Sequence, residues 1–559
     1  MTFLPIVDRE LRTNARRAGT YWMRTALGAG VCLIWFTVLV MSPSTTPIHA
    51  KAQVLFWTVT ALAFAFCLLA GMLLTADCVS GEKRDGTLGL LFLTDLESYD
   101  VVFGKLAVTS LRAAYGLLCV MPSLALSLLM GGVTVGEFWR VTAVLVVTLF
   151  LSLTLGLAIS AVSRDSRQAM MSTLVALALL AGVPPLMWWL AHVFIPAKEV
   201  VAKLLLLACP TYDLALGRDA GYASLEGPRL YWTALFVQAG LGSLALVLAA
   251  TWVPRVWGDA PEAIERRDTA LRRWCRFGSR ATQRRRRKLI EASPFCWLAT
   301  RDRVPMVLAW VVVLVLFAVW AAFLGGSFVA ATGKQSVCFS VAVFMAYAAY
   351  VLWKSFVAIE AARRVSEDRL NGSLELLLVT ELPVESVLTG QRRALQRMFL
   401  VPGLVVLFMN VVLLGMVADY DKMRLGAGLS GKTFFMFAIG ALLVAADLSS
   451  LGTTGTWTGL RARRLQNAFL GMLGRVMLMP WLGIALSAVS LLMIGFSAPD
   501  LYILLFFWML VSLVVDGLVA AKARFHMERG FRKAAAGDYE GLKEMAAEIA
   551  ALREAPQPA

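Results

Sequence analysis

Apolar runs of roughly 20 residues, each long enough to cross a bilayer as a helix, recur along the chain between short polar stretches. In the first half they lie near 25–41, 53–76, 106–130, 138–162, 168–194 and 231–253; in the second near 305–324, 337–359, 394–417, 433–458, 467–495 and 501–521. The pattern predicts an all-α integral membrane protein of about 12 transmembrane helices in two repeated six-helix halves. Ahead of the first run, Leu4 to Arg24 mixes Ile6, Val7, Leu11, Tyr21 and Trp22 with five arginines, as an interfacial helix does. No small-residue cleavage site follows it, so the first run reads as a retained span.

The polar stretches carry the clearest signal of duplication. Val79 to Lys105 aligns without a gap with Val365 to Gln391, with ten of 27 positions identical, among them Gly86 with Gly372 and Thr94 with Thr380. A repeat of this length marks a duplicated unit. Within it, Asp85-Gly86-Thr87 and Asn371-Gly372-Ser373 each predict a turn followed by a helix N-cap. Leu88, Leu91 and Phe92, matched by Leu374, Leu377 and Leu378, would put one apolar face on the short helix that follows. Ser293-Pro294-Phe295 echoes Leu4-Pro5-Ile6, so the duplication includes the preceding spans.

Composition fits the bilayer: 59% of residues are hydrophobic and 16% charged, too apolar for a soluble chain of 559 residues. The net charge of +16 follows the excess of Lys and Arg in cytoplasmic loops of membrane proteins, and the basic stretches lack the interleaved aromatics of a nucleic-acid groove. We therefore expect no nucleic-acid partner. Residues 254 to 304 hold fourteen Lys or Arg against six acids, including Arg284 to Lys288, and read as a cytoplasmic linker, with anionic-lipid or partner binding as the alternative. The expected domains are thus a first six-span unit at 1–253, a basic linker at 254–292, a second six-span unit at 293–522 and a cytoplasmic tail at 523–559, with both termini inside. Lys198 to Pro210, in the expected outer loop, reads as either an interfacial or a re-entrant helix.

Candidate chemistry is sparse. The eight cysteines form no CxxC pair, and the three histidines sit apart with no carboxylate cluster, so no metal, cofactor or catalytic constellation is expected. Gly426 to Thr433 satisfies the phosphate-loop pattern GxxxxGK[ST], but that loop works between a buried strand and a helix, and here a membrane span follows. Ionisable residues inside spans are costly and mark function by default; Arg112, Lys354, Asp447, Arg475 and Asp516 are the candidates, Arg112, Asp447 and Arg475 foremost. Lys354 and Asp516 lie near span ends, where they could snorkel, and Asp447 and Arg475 on neighbouring spans could pair.

The repeated stretch resembles the permease subunits of ABC-2 type ATP-binding-cassette transporters. Those permeases have an interfacial helix before the first span and, between the second and third, an acidic-basic turn leading into a Gly-Thr-Leu-Glu-Leu-Leu type run. Glu82-Lys83-Arg84-Asp85-Gly86-Thr87-Leu88 and Asp368-Arg369-Leu370-Asn371-Gly372-Ser373-Leu374-Glu375 match this run. The resemblance extends loosely through Gly156 to Ala169 and Gly455 to Ala468. It implies a permease in the inner membrane, moving a substrate, usually outward, and driven by a separate ATPase subunit. The coupling loops would be Glu82, Lys83, Arg84, Gly86 and Thr87 in one half, and Glu367, Asp368, Arg369, Gly372, Ser373 and Glu375 in the other. Gly89 and Glu97 depart from the family where the second copy keeps Glu375 and Pro383, which implies unequal coupling. The competing readings are a non-transporting membrane assembly component and a secondary transporter.

Overall fold

The computed structural model is built from helices. It describes residues 7, 12, 18–41, 47–84, 86, 97–163, 166–194, 204–257, 294–300, 304–329, 332–370, 374, 376, 384–425, 430–462, 468, 469, 471, 472, 474–480 and 501–535. Most of the expected interfacial helix, the basic linker and the terminal tail beyond residue 535 lie outside this set.

In chain order the helices are α1 (Ala18–Met41), α2 (Ile48–Ala70), α3 (Ser80–Arg84), α4 (Ser98–Leu118), α5 (Met121–Leu129), α6 (Val135–Val162), α7 (Ser166–Phe194), α8 (Pro210–Leu216), α9 (Asp219–Tyr222) and α10 (Gly227–Trp257). The second half adds α11 (Pro294–Ala299), α12 (Val304–Val329), α13 (Thr332–Leu370), α14 (Val384–Leu425), α15 (Ser430–Arg461) and α16 (Leu501–Ala535). Among the described residues two π-helical turns interrupt the pattern, Gly71–Thr75 at the end of α2 and Gly474–Leu478. No strand occurs among the described residues. In hydrocarbon every backbone polar group needs an internal partner, and helices supply one within each segment.

Eight helices among the described residues are long and apolar enough to span a membrane. Their outward residues agree: Phe236 is 69% exposed, Leu518 66% and Leu129 81%, side chains that suit lipid rather than water. The protein is an all-α, multi-pass integral membrane protein. The expected spans at 25–41, 337–359 and 433–458 fall on α1, α13 and α15, outside these eight, and 467–495 lies largely outside the described residues.

Of the boundaries that differ from the hydropathy reading, two have a clear local cause. The run expected at 106–130 begins at Ser98 and is broken after Leu118, where the chain turns at Cys119 and Val120 before Pro122 enters the first turn of α5. A proline in the helix interior would remove a backbone donor, whereas in the first turn it costs nothing. The run expected to end at 521 continues in α16 to Ala535 because Met527, Phe531, Ala534 and Ala535 are buried.

The chain packs as two units. The first comprises Met1–Arg267 with Ala318–Cys338 and Ala485–Asp500, the second Asp268–Phe317, Phe339–Ile484 and Leu501–Ala559. In the first unit α6 is central, packed against α2, α7 and above all α10, around a core that includes Phe56, Cys67, Leu145, Leu153 and Ala249. In the second, α15 is packed mainly against α16 and α14.

Candidate functional site

The repeated stretch forms the same attachment in both units. In the first, α2 runs through its π turn into α3, which carries Glu82 and Lys83. Gly86 follows with φ 69°, a left-handed turn that a glycine adopts without strain. The Lys83 ammonium donates to the carbonyl of Ala161, in the last turn of α6. In the second unit Arg369, in the last turn of α13, donates to the carbonyl of Leu460, in the last turn of α15, and at 3.2 Å to that of Ala462. Lys83 and Arg369 occupy the same place in the repeat, and so do Ala161 and Leu460. The last carbonyls of a helix are unpaired and form the negative end of its dipole, which makes a cation their natural partner.

Close packing behind these bonds also recurs. A Cβ on Gly156 would meet Thr75 Oγ1 and, at 2.5 Å, the carbonyl oxygen of Gly71; one on Gly455 would lie 2.5 Å from Ala361 Cβ. Gly156 corresponds to Gly455 and Thr75 to Ala361. Ser160 Oγ accepts from the backbone N–H groups of Val79 and Ser80 at 3.1 and 3.0 Å, and its counterpart Gly459 lies against the backbone of Ala362.

The units differ in how the loop is tied to the following helix. Glu82 accepts from Lys105 at 2.9 Å in a largely buried ion pair, whereas at the position of Lys105 the second unit has Gln391, which donates to the carbonyl of Ala361 at 3.0 Å. Glu97, the departure from the family pattern, is the N-cap of α4 and forms a capping box with Asp100. In the second unit Leu374 is buried against Trp457, Leu460, Met527 and Phe531. Asp368 is half-buried; the side chains of Arg84 and Glu367, and Thr87, Gly372, Ser373 and Glu375 entirely, lie outside the described residues.

Residues 21–253 match a family model described as an ABC-2 family transporter protein. Over this stretch, less than half of the chain, the sequence is similar to ABC-2 family transporter proteins. No curated protein sequence matches the chain. The matched domain contains α3, the Lys83 attachment and the Glu82–Lys105 pair.

The charged candidates inside the helices are placed differently from the sequence reading. Arg112 is half-buried on α4. Asp447 does not pair with Arg475: Arg475 is exposed, and Asp447, fully buried, meets Lys354 at 2.6 Å and receives the Tyr350 hydroxyl. Lys354 and Asp516 do not snorkel either, at 3% and 1% exposed. Both face helix neighbours rather than a helix end, because side-chain direction on a helix, and not distance from its terminus, decides what a residue meets.

Two further groups escaped the sequence reading. Glu360, buried, accepts from Arg364 at 2.8 Å and from Arg363 at 3.1 Å, a pairing whose i,i+4 and i,i+3 spacing was present in the sequence. In the matched stretch, Arg140 pairs with Asp219, lies over the ring of Tyr222 and supplies the carbonyl to which Tyr231 donates at 2.9 Å. Beside it Asp213 on α8 is fully buried, and neither carboxyl oxygen has a hydrogen-bond partner among the described residues. Burial pushes its pKa up to about 8. The phosphate-loop pattern runs between two helices: α14 ends at Leu425 and α15 opens at Ser430, with residues 426–429 outside the described set.

Proposed function

We propose that the chain is the membrane permease of an ABC-2 type transporter and exports its substrate under the drive of a separate ATP-binding-cassette subunit. The matched domain supplies the class. The observation that carries the coupling is the twin attachment, Lys83 to the end of α6 and Arg369 to the end of α15. A force applied to either loop is passed directly to the C-terminus of a long helix at the centre of its unit. Closure of two ATPase subunits against the loops would then favour one arrangement of the helices over another, which is what differential binding to two states requires. In this reading 1–253 and 293–522 are fused permease units, the basic linker and both termini face the cytoplasm beside the inner membrane, and lipid surrounds the spans.

Co-purification tests it. An ATPase subunit should follow the full chain from solubilised membranes, and Gly86→Val with Gly372→Val should release it while the chain remains folded. Retention of the ATPase by that double variant, or ATP hydrolysis by the purified chain without a partner, would overturn the reading. A secondary transporter is the second reading, favoured by the buried Lys354–Asp447 pair. It would move substrate in ATPase-free liposomes under an ion gradient, where the permease reading expects none.

A further inference from the structure

Three helices of the second unit converge on a polar cluster that the coupling reading does not use. Tyr350 and Lys354 come from α13, Asp447 and Ser450 from α15, and Asp516 from α16. Lys354, Asp447, Ser450 and Asp516 are each no more than 3% exposed. Lys354 Nζ lies 2.6 Å from Asp447 Oδ1, Tyr350 donates to Asp447 Oδ2, and Ser450 Oγ donates to Asp516 Oδ1 at 3.0 Å. The carboxyl groups of Asp447 and Asp516 adjoin one another.

Charge does not balance in this arrangement. Two carboxylates and one ammonium leave a net negative charge in a site closed to water, and an uncompensated buried charge is strongly unfavourable. Hydrogen bonding is incomplete at the same place: Asp516 Oδ2 is buried and has no donor among the described residues, while its neighbour is another carboxyl group. One proton held between Asp516 and Asp447 removes both faults, since it cancels the excess charge and supplies the missing donor.

We propose that the Lys354–Asp447–Asp516 cluster is a binding site for a single proton, exchanged through the pocket beside it. That pocket has about 10 Å³ of free space, enough for one water, reaches the cluster at Tyr350 and Lys354 and is walled by Tyr347, Trp508 and Ser512. Ser512 lies one turn before Asp516 on α16, and its hydroxyl is fully buried with no partner among the described residues. A water there would have polar partners on both sides and would complete a relay to Asp516. Val476 of the Gly474–Leu478 π turn closes the wall, and such turns recur at functional sites.

The groups facing Asp516 are Asp447 and Ser450 of α15 and Lys354 and Tyr350 of α13. Arg475 of the π turn and Arg392, Arg393 and Arg397 of α14 are exposed. With its proton the cluster is neutral and holds α13, α15 and α16 together; without it the two carboxylates repel, and separation of the helices is favoured. The site belongs to one half of the chain, for Leu68 and Thr148 stand at the positions of Lys354 and Asp447 in the repeat. It does not depend on the ATPase reading, because the test below uses the purified chain and the co-purification test reads the partner.

Infrared spectra of the full chain in lipid nanodiscs at neutral pH, taken as differences between wild type and variants so that Asp213 cancels, provide the test. Asp516→Asn or Asp447→Asn should remove one carboxylic C=O band that shifts on deuteration, and Asp219→Asn should leave it in place. Lys354→Met removes the cation, so the cluster should take a second proton and its band should grow about twofold. A band unmoved by all three cluster variants overturns the proposal. So does its absence from wild type, including the case in which sodium stabilises the protein against heat independently of pH. If one aspartate variant does not fold, the other and Lys354→Met decide the outcome.

Discussion

Asp213 is the residue whose environment departs furthest from what its type expects outside the spans. It sits in the seven-residue helix α8 with no hydrogen-bond donor among the described residues, and burial pushes its pKa up to about 8. A carboxyl whose pKa is higher folded than unfolded contributes stability that is fully present below the unfolded value and is lost as pH rises through the folded one. The detergent-solubilised protein should therefore melt at lower temperature at pH 9 than at pH 5, and Asp213→Asn should flatten that part of the profile. An unchanged slope in the variant would place the titration elsewhere. Glu82 presents the opposite case, an ionised group with a partner. Glu82→Ala leaves Lys105 buried without its carboxylate and should cost about 3 kcal/mol in unfolding free energy, and exchanging the two residues should restore part of it. Chemical denaturation of the purified chain measures both.

At the scale of elements, the contact between the second-span helix and the fourth is set by glycine. Gly156 and Gly455 let α6 approach the π turn after α2 and α15 approach α13, at distances no side chain allows. Gly156→Ala and Gly455→Ala should each destabilise the protein by about 1–3 kcal/mol, measured by thermal unfolding, because the obstructing atoms include backbone or a Cβ and cannot swing away. The same elements explain an asymmetry. In the second unit α16 continues past its apolar run and covers Leu374 with Met527 and Phe531, so the second loop is anchored by packing. The first loop is tied by the Glu82–Lys105 ion pair. Charge reversal at Glu82 should therefore disturb the first loop more than reversal at Asp368 disturbs the second, a comparison that limited proteolysis of the two loops reads directly.

Across the whole molecule, the units share an attachment but not a polar interior. Lys83 and Arg369 are interchangeable in function because each needs only a cation in reach of a helix end. Lys354, Asp447 and Asp516 have no such equivalence, and a protein with a proton site in one unit should respond to pH through that unit. Lys354→Met combined with Asp447→Asn and Asp516→Asn leaves no ionisable pair among these positions; it should abolish any pH dependence of transport while leaving ATPase co-purification intact.

The sequence by itself determined the membrane class, the repeated stretch and the turn at Gly86, because hydropathy, gap-free identity and a glycine in a polar turn are local properties. It also contained both partners of the twin attachment, the cations in the repeated stretch and the acceptors in the segments through which the family resemblance extends loosely. The tertiary structure decided which charges meet. Lys354 and Asp447 are 93 residues apart in sequence and Asp516 lies a further 69 on, and no spacing rule connects them. Distance from a span end suggested that Lys354 and Asp516 would reach water, and neighbouring spans suggested that Asp447 would take Arg475. Helix rotation reversed both, since a turn of 100° per residue decides whether a side chain faces a neighbouring helix or lipid, and that angle is fixed by packing against the other helices.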